Sequence, residues 1–206
     1  MELDHVLIAV SDLATAGQGL EERHGLTSIE GGRHGGLGTA NRIVPLVDTY
    51  LELVAVVDEA EAAGSAFGSW VASGEIPRLL GWCVRTDDLD AVAGRLGLSI
   101  ADGSRTRADG AVLQWRMAGI EMSREEASLP FFIEWGPGTP YPGAASAQHR
   151  IGAPKIDELR MAGDPDRLER WLGGAQLPIA ICEGAPALDS VILSAGEVQV
   201  VLDRSL

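Results

Sequence analysis

His5, Glu52 and Glu134 stand inside apolar runs, where a charge is costly to bury. His5 lies in Leu3-Asp-His-Val-Leu-Ile-Ala-Val10, Glu52 in Tyr50-Leu-Glu-Leu-Val54, and Glu134 in Leu129-Pro-Phe-Phe-Ile-Glu-Trp135. A carboxylate in the middle of an apolar strand needs something cationic to meet it. One imidazole and two carboxylates form a donor set suited to a borderline or hard divalent cation. Strand alternation groups His5 with Leu3, Leu7 and Ala9, Glu52 with Tyr50, Val54 and Val56, and Glu134 with Phe132. A purely structural network is the competing reading, with Arg85 or Arg116 as the counter-ion.

The stretch Gly31-Gly-Arg-His-Gly-Gly-Leu-Gly38 suggests a phosphate loop, but no Lys-Ser/Thr and no helix start follow it. Nucleotide binding is therefore not expected. Arg33 and His34 read equally as a mobile polar loop or as a wall of the site. Asn41, on an apolar strand, faces the cavity or serves a turn. Tyr50, Trp82, Trp115, Phe132 and Trp135 read as core or cavity lining. Arg33, Asn41 and Trp115 are the candidate substrate contacts. His24 and His149 read as surface residues. Cys83 and Cys182 are too few for a disulfide framework or a Cys-type zinc site, and their apolar surroundings mark them as buried, inert thiols.

These residues must be positioned by a chain of 206 residues, enough for one ordinary domain or two small modules sharing a core. With 46% hydrophobic and 22% charged residues, wholesale disorder is excluded. A formal charge of −14 would be repelled by nucleic acid or an anionic membrane, so neither is an expected partner. No apolar run approaches the roughly 18–20 residues that span a bilayer, and no basic-then-apolar leader opens the chain, so a soluble, cytoplasmic protein is expected.

The pattern over residues 1–57 is β-α-β-β-β. A strand over Leu3–Val10 leads to the helix cap Ser11-Asp12, a helix over 13–24 ends at Gly25, and strands follow at Leu26–Glu30, Thr39–Val47 and Tyr50–Val57. Residues 58–75 read as a connecting helix. The pattern restarts over 76–136, with strands at Leu79–Thr86, Leu98–Ser104, Ala111–Ala118 and Leu129–Trp135, a helix capped by Asp87-Asp88, a turn at Ala108-Asp109-Gly110 and a polar insert at Ser123–Ser128. Asp12-Leu13 and Asp88-Leu89 are 76 positions apart, and Gly25-Leu-Thr-Ser-Ile-Glu-Gly31 resembles Gly97-Leu-Ser-Ile-Ala-Asp-Gly103, so we read an internal duplication. Beyond a Gly-, Pro-, Ala- and Ser-rich loop, residues 154–206 repeat the order a third time. Asp164-Pro165 starts the helix there, and Asp157 and Gln199 stand at the places of His5 and Glu52. That unit is expected to pack on the first two or to mediate dimerisation.

Paired modules with a His on strand one and a Glu on strand four resemble the vicinal oxygen chelate superfamily, which includes glyoxalase I, extradiol dioxygenases, epimerases and antibiotic-resistance proteins. Gly31-Gly-Arg-His-(x3)-Gly-Thr-Ala-Asn-Arg with Tyr50-Leu-Glu-Leu-Val, and Gly81-Trp-Cys-Val-Arg-Thr-Asp-Asp-Leu-Asp with Leu129-Pro-Phe-Phe-Ile-Glu-Trp, more closely resemble its glyoxalase-like domain branch. The resemblance covers residues 1–140 well and the remainder loosely. It implies an α+β fold: tandem βαβββ modules forming a U-shaped mixed β-sheet half-barrel with flanking helices, plus a third βαβββ-like module. It also implies metal ligands from the first and fourth strands of each module. Carried over, these are His5, Glu52 and Glu134, while the fourth position, Gly81, has no side chain. His34 is the candidate to replace the missing imidazole. The implied cofactor is a divalent cation (Zn, Ni, Mn or Fe). The implied chemistry is that of a lyase or isomerase acting on a small oxygenated metabolite through an enolate or oxyanion, with Glu52 or Glu134 as base. Catechol cleavage would need two histidines and one carboxylate around Fe(II), and so would require His34. The alternatives are a metal-free protein that binds or sequesters a small molecule in the same cavity, and a degenerate paralogue with no ligand. A homodimer is common in the superfamily.

Overall fold

The computed structural model describes residues 1–107 and 110–203. Ala108 and Asp109 of the expected turn lie outside the described residues. The first module contains β1 (Glu2–Ala9), α1 (Leu13–His24), β2 (Ile29–His34), β3 (Thr39–Pro45) and β4 (Tyr50–Val56). Two short helices, α2 (Glu59–Ala63) and α3 (Ala66–Ala72), lead to the second. It contains β5 (Arg78–Arg85), α4 (Leu89–Leu96), β6 (Ile100–Thr106), β7 (Val112–Ala118), α5 (Ile120–Glu125) and β8 (Phe131–Trp135). The C-terminal unit is β9 (Lys155–Gly163), α6 (Pro165–Leu172), β10 (Ile179–Glu183), β11 (Ala187–Ala195) and β12 (Val198–Leu202). No helix among the described residues is long and apolar enough to cross a membrane.

The sequence repeat is visible in the helix ends. Asp12, Asp88 and Asp164 each accept a hydrogen bond from the backbone N–H three residues on, at 2.7, 2.9 and 3.0 Å. Each such cap contributes about 1 kcal/mol to its helix. Gly25, Gly97 and Gly173 close the same helices in the left-handed conformation, with φ of 68°, 70° and 61°.

Eight strands form one curled mixed sheet in the order β1-β4-β3-β2-β6-β7-β8-β5. β1 runs parallel to β4 and β5 parallel to β8, while β1 and β5 join the modules antiparallel. The mouth of the expected U is bridged by two residue pairs, Arg33 with Thr106 and His34 with Arg105, so the sheet closes into a barrel. Inside, Leu7, Val54, Phe67, Trp70, Leu80, Phe131 and Ile133 share one cluster. The outer face of the barrel shares a larger core with α1, α4 and the C-terminal sheet. Phe132 stacks on Trp171 at 6.0 Å, and the Trp171 indole donates to the Pro130 carbonyl at 2.9 Å. Arg95 of α4 donates to the carbonyls of Arg170 and Trp171 at the end of α6, which fastens the C-terminal unit to the second module.

The C-terminal unit has the β-α-β-β-β order of elements but a different pairing. Its sheet runs β10-β9-β11-β12, with β9 parallel to the strand that directly follows its helix. In the first module the parallel partner of β1 is instead the fourth strand. Gln199 therefore pairs with Ser194 and never meets Asp157 as Glu52 meets β1.

Several local expectations are corrected. The connecting helix is two helices, because Ser65 caps a new one by accepting from the Gly68 N–H at 2.8 Å. The polar insert begins inside a helix, α5, which buries Ile120 and Ser123. The second strand starts later than expected and takes in Gly31 to His34, so His34 stands on a strand, not on a mobile loop. Cys83 is buried, but Cys182 is exposed on the edge strand β10. His149 is half-buried and structural. Its Nδ1 accepts from the Thr27 N–H at 3.0 Å, and its Nε2 donates to the Pro45 carbonyl at 2.7 Å.

Candidate functional site

The barrel interior holds a small cavity that opens to solvent. The parallel pairing of β1 and β4 sets His5 beside Tyr50 and Leu7 beside Glu52, and all four side chains line the cavity. His34 enters from β2 and Asn41 from β3. Of the candidate residues named from the sequence, His5, His34, Asn41, Glu52 and Trp115 line this cavity.

The two imidazoles flank the carboxylate. His5 Nε2 lies 3.5 Å from Glu52 Oε2, and His34 Nε2 lies 3.5 Å from Glu52 Oε1. Each ring is fixed through its other nitrogen. His5 Nδ1 donates to the buried Asp4 carboxylate at 2.6 Å, and Asp4 also accepts from the Trp135 indole at 3.0 Å. His34 Nδ1 donates to the Thr39 hydroxyl at 2.8 Å, because Asn41 Nδ2, at 3.2 Å, assigns Nε2 as the acceptor. Both Nε2 atoms lie on the Glu52 side of their rings. The His5 ring stacks on Tyr50 with centroids 4.6 Å apart.

Asn41 holds the carboxylate. Its Nδ2 donates to Glu52 Oε1 at 2.9 Å, while its Oδ1 accepts from the Gly32 N–H and from Arg105 Nη1, both at 3.0 Å. Two donors on the oxygen fix which way the amide points. The glycines beside it are explained by space. A Cβ on Gly31 would fall 2.0 Å from Asn41 Oδ1, and one on Gly32 would fall 2.1 Å from the Thr106 carbonyl oxygen across the seam. These two glycines let a bulged β2 seat the amide and meet β6.

Burial pushes the His34 imidazole down to a pKa of about 4, with Arg105 and His5 adding to the shift against the pull of Glu52. His34 is neutral at pH 7. Burial, with Asp4 and Glu52 nearby, pushes the Tyr50 phenol and the Cys83 thiol well up, so neither ionises.

Glu134 is not part of this group. It is on the outer face of β8, where Arg116 Nε donates to it at 2.7 Å and Arg116 also reaches Asp90. Leu7 pairs with Glu52, and Cys83, 76 positions on, pairs with Phe131, so Phe131 holds the place of Glu52 in the second module. Phe131, Ile133 and Trp135 face the cavity, which turns Glu134 outward. At Gly81 a Cβ would fall 2.7 Å from the Trp70 ring, so α3 fills the space where a ligand side chain would stand. Arg33 also stays outside the cavity and pairs with Glu61 at 2.6 Å and Asp58 at 3.4 Å. Sequence reasoning missed the buried Asp4 that holds His5, and it missed Arg105. Arg105 is 5% exposed and lines the cavity from β6 of the second module. Nothing in Ile100-Ala-Asp-Gly-Ser-Arg-Thr106 marks it as buried, because only the seam with β2 encloses it.

In type, two imidazoles with anchored second nitrogens and one carboxylate suit a divalent cation, although Asn41 donates to both His34 Nε2 and Glu52 Oε1. Among the described residues, the one group of three or more His, Cys, Asp or Glu with donors all within 4.8 Å of one another is Asp4, His5 and Cys83. Its His5 nitrogen is occupied by Asp4 and its thiol is protonated. The donors of His5, His34 and Glu52 are spread more widely.

A family model described as Glyoxalase-like domain matches residues 3–176. No curated protein matches the chain. A hypothetical protein from Staphylococcus aureus has a similar structure, with a TM-score of 0.76 at 15% identity over 96% of this chain and 92% of that one. Its likeness includes the C-terminal sheet. A Streptomyces coelicolor methylmalonyl-CoA epimerase has a TM-score of 0.48 at 18% identity, over 66% of this chain and 96% of its own. The Mycobacterium tuberculosis methylmalonyl-CoA epimerase gives 0.46 at 21%, over 70% and 92%.

Proposed function

Because the chain belongs to the glyoxalase-like domain family, we propose that its barrel interior is a small-molecule site that takes a divalent cation, and that the protein is a metal-dependent lyase or isomerase acting on a small oxygenated compound. The observation that carries this reading is the pair of imidazole Nε2 atoms, each 3.5 Å from a different oxygen of Glu52. His5, His34 and Glu52 would hold the cation, with His34 supplying the imidazole that Gly81 cannot and Glu134 left out. Bound there, the cation would supply Lewis acidity to a carbonyl or hydroxyl oxygen of the ligand. Glu52 would accept a proton from the ligand, and Asn41, which donates to its Oε1, would hold the carboxylate in position. Tyr50, Trp115 and Phe131 supply apolar walls that keep water away from the exchange.

The test is metal content. Protein purified without chelator should carry Zn, Ni, Mn or Fe, and His5→Ala, His34→Ala and Glu52→Ala should each lose it while Glu134→Gln keeps it. Unchanged metal in the first three variants sinks the reading. The same donor set suits non-haem Fe(II) oxygenation, so a marked preference for Fe²⁺ would change the reaction class.

A second reading, metal-free binding or sequestration of a small molecule, is favoured by a different observation. Two of the four ligand positions implied by the superfamily are Gly81 and Phe131, and Trp70 fills the space at the first. Thermal shifts separate the two. Stabilisation by metal ions favours the enzyme, and stabilisation by aromatic ligands alone favours the binding protein.

A further inference from the structure

We infer that Arg105 is the anchor for an anionic ligand, so that the barrel interior takes a small monocarboxylate with an apolar body. This rests on reading the interior as a small-molecule site, and it goes beyond that reading by naming the ligand's charge and its grip. A guanidinium carries five N–H donors and cannot shed its charge. Arg105 is 5% exposed, yet among the described residues no carboxylate lies within ion-pair distance of it. Nη1 donates to Asn41 Oδ1, and Nε is buried with no partner. Elsewhere in the chain the arginines with ion pairs are more exposed: Arg33, Arg85 and Arg116 all have carboxylates. A buried cation with an unused donor is costly unless something anionic arrives to use it.

The surroundings select the anion. One fork-shaped cation and no lysine line the cavity, which suits a single planar carboxylate better than a phosphate dianion. The rest of the wall is apolar, with Leu7, Phe67, Trp115, Phe131, Ile133 and Trp135 available to the body of the ligand. Asn41 lies between Arg105 and Glu52, so an acid held by the guanidinium would present its body toward the imidazole and carboxylate group.

The experiment is calorimetric titration of acetate, butyrate, benzoate and phenylacetate, each beside its neutral amide, into wild type, Arg105→Met and Arg105→Lys. Each titration is run after chelator treatment and again with Mn²⁺ added. We expect at least one acid to bind chelated wild type roughly ten- to a hundredfold more tightly than its amide, the span of one charge-assisted contact. Arg105→Met should lose that preference and Arg105→Lys should keep part of it. Equal binding of acid and amide, or no binding of any acid to wild type, overturns the assignment without requiring a variant to fold. Acid binding that needs Mn²⁺ and is unchanged in Arg105→Met also overturns it, while leaving the metal reading intact. Arg105-dependent acid binding by protein that takes no metal supports the assignment and removes the metal reading.

Discussion

Arg105 and Glu52 are joined through a single amide: Asn41 accepts from the guanidinium at 3.0 Å and donates to the carboxylate at 2.9 Å. The cation comes from the second module and the anion from the first. Replacing Asn41 by Leu would leave the Gly32 N–H, Arg105 and Glu52 each short of a partner in a buried place. Unfolding in urea should show a loss on the order of 3 kcal/mol, since each orphaned buried group costs about 1–3 kcal/mol. A loss under about 1 kcal/mol would mean that the amide is a bystander.

The glycines of β2 and of the turn after it differ sharply in what they tolerate. Gly31→Ala should cost clearly more than Gly36→Ala. At Gly31 the new methyl meets Asn41 at 2.0 Å, whereas at Gly36 nothing lies within 4 Å and the only penalty is the φ of +71°. That penalty is about 1–2 kcal/mol. Gly31→Ala should also weaken any ligand that binds wild type, because it displaces the amide. Equal melting temperatures for the two variants would contradict this account of the stretch.

Glu134→Gln should leave metal content and ligand binding unchanged. Its partner Arg116 is 36% exposed and Glu134 itself 22%, so the pair is screened. The stability cost should stay within about 1 kcal/mol. Loss of metal in this variant would return Glu134 to the site.

Acid should weaken the fold through His34. Its folded pKa, about 4, lies below the 6.5 of a free imidazole. The unfolded chain therefore takes up this proton first, and stability falls as the pH drops from about 6.5 toward 4. The full difference is on the order of 3 kcal/mol. Urea midpoints of chelator-treated protein at neutral and mildly acid pH should show this slope, and His34→Gln should flatten it. An identical slope in the variant would assign the acid sensitivity to other groups.

How much of this was legible in the chain depended on whether neighbours or distant partners set each feature. The helix caps at Asp12, Asp88 and Asp164 are local, and their 76-residue spacing exposed the repeat. Glu52 was legible because a lone charged group in an apolar strand stands out, and His5 because an imidazole does so in the run that begins at Leu3. Glu134 misled for a physical reason: Phe131, Phe132 and Ile133 are all apolar because both faces of β8 are covered. Alternation there fixes a period but not which parity points inward. Arg105 was hidden because its strand is polar in composition and is enclosed only when the sheet closes on itself. The helix α5 was missed because six residues give too little periodicity to register.

The seam between β2 and β6 divides labour between the halves of the barrel. Residues upstream of β5 own every imidazole and acid oxygen around Glu52, while the gripping charge arrives only from beyond it. Severed from its twin, the leading half would keep reactive groups with nothing to steer a guest toward them; the trailing half would keep a handle with no tool attached.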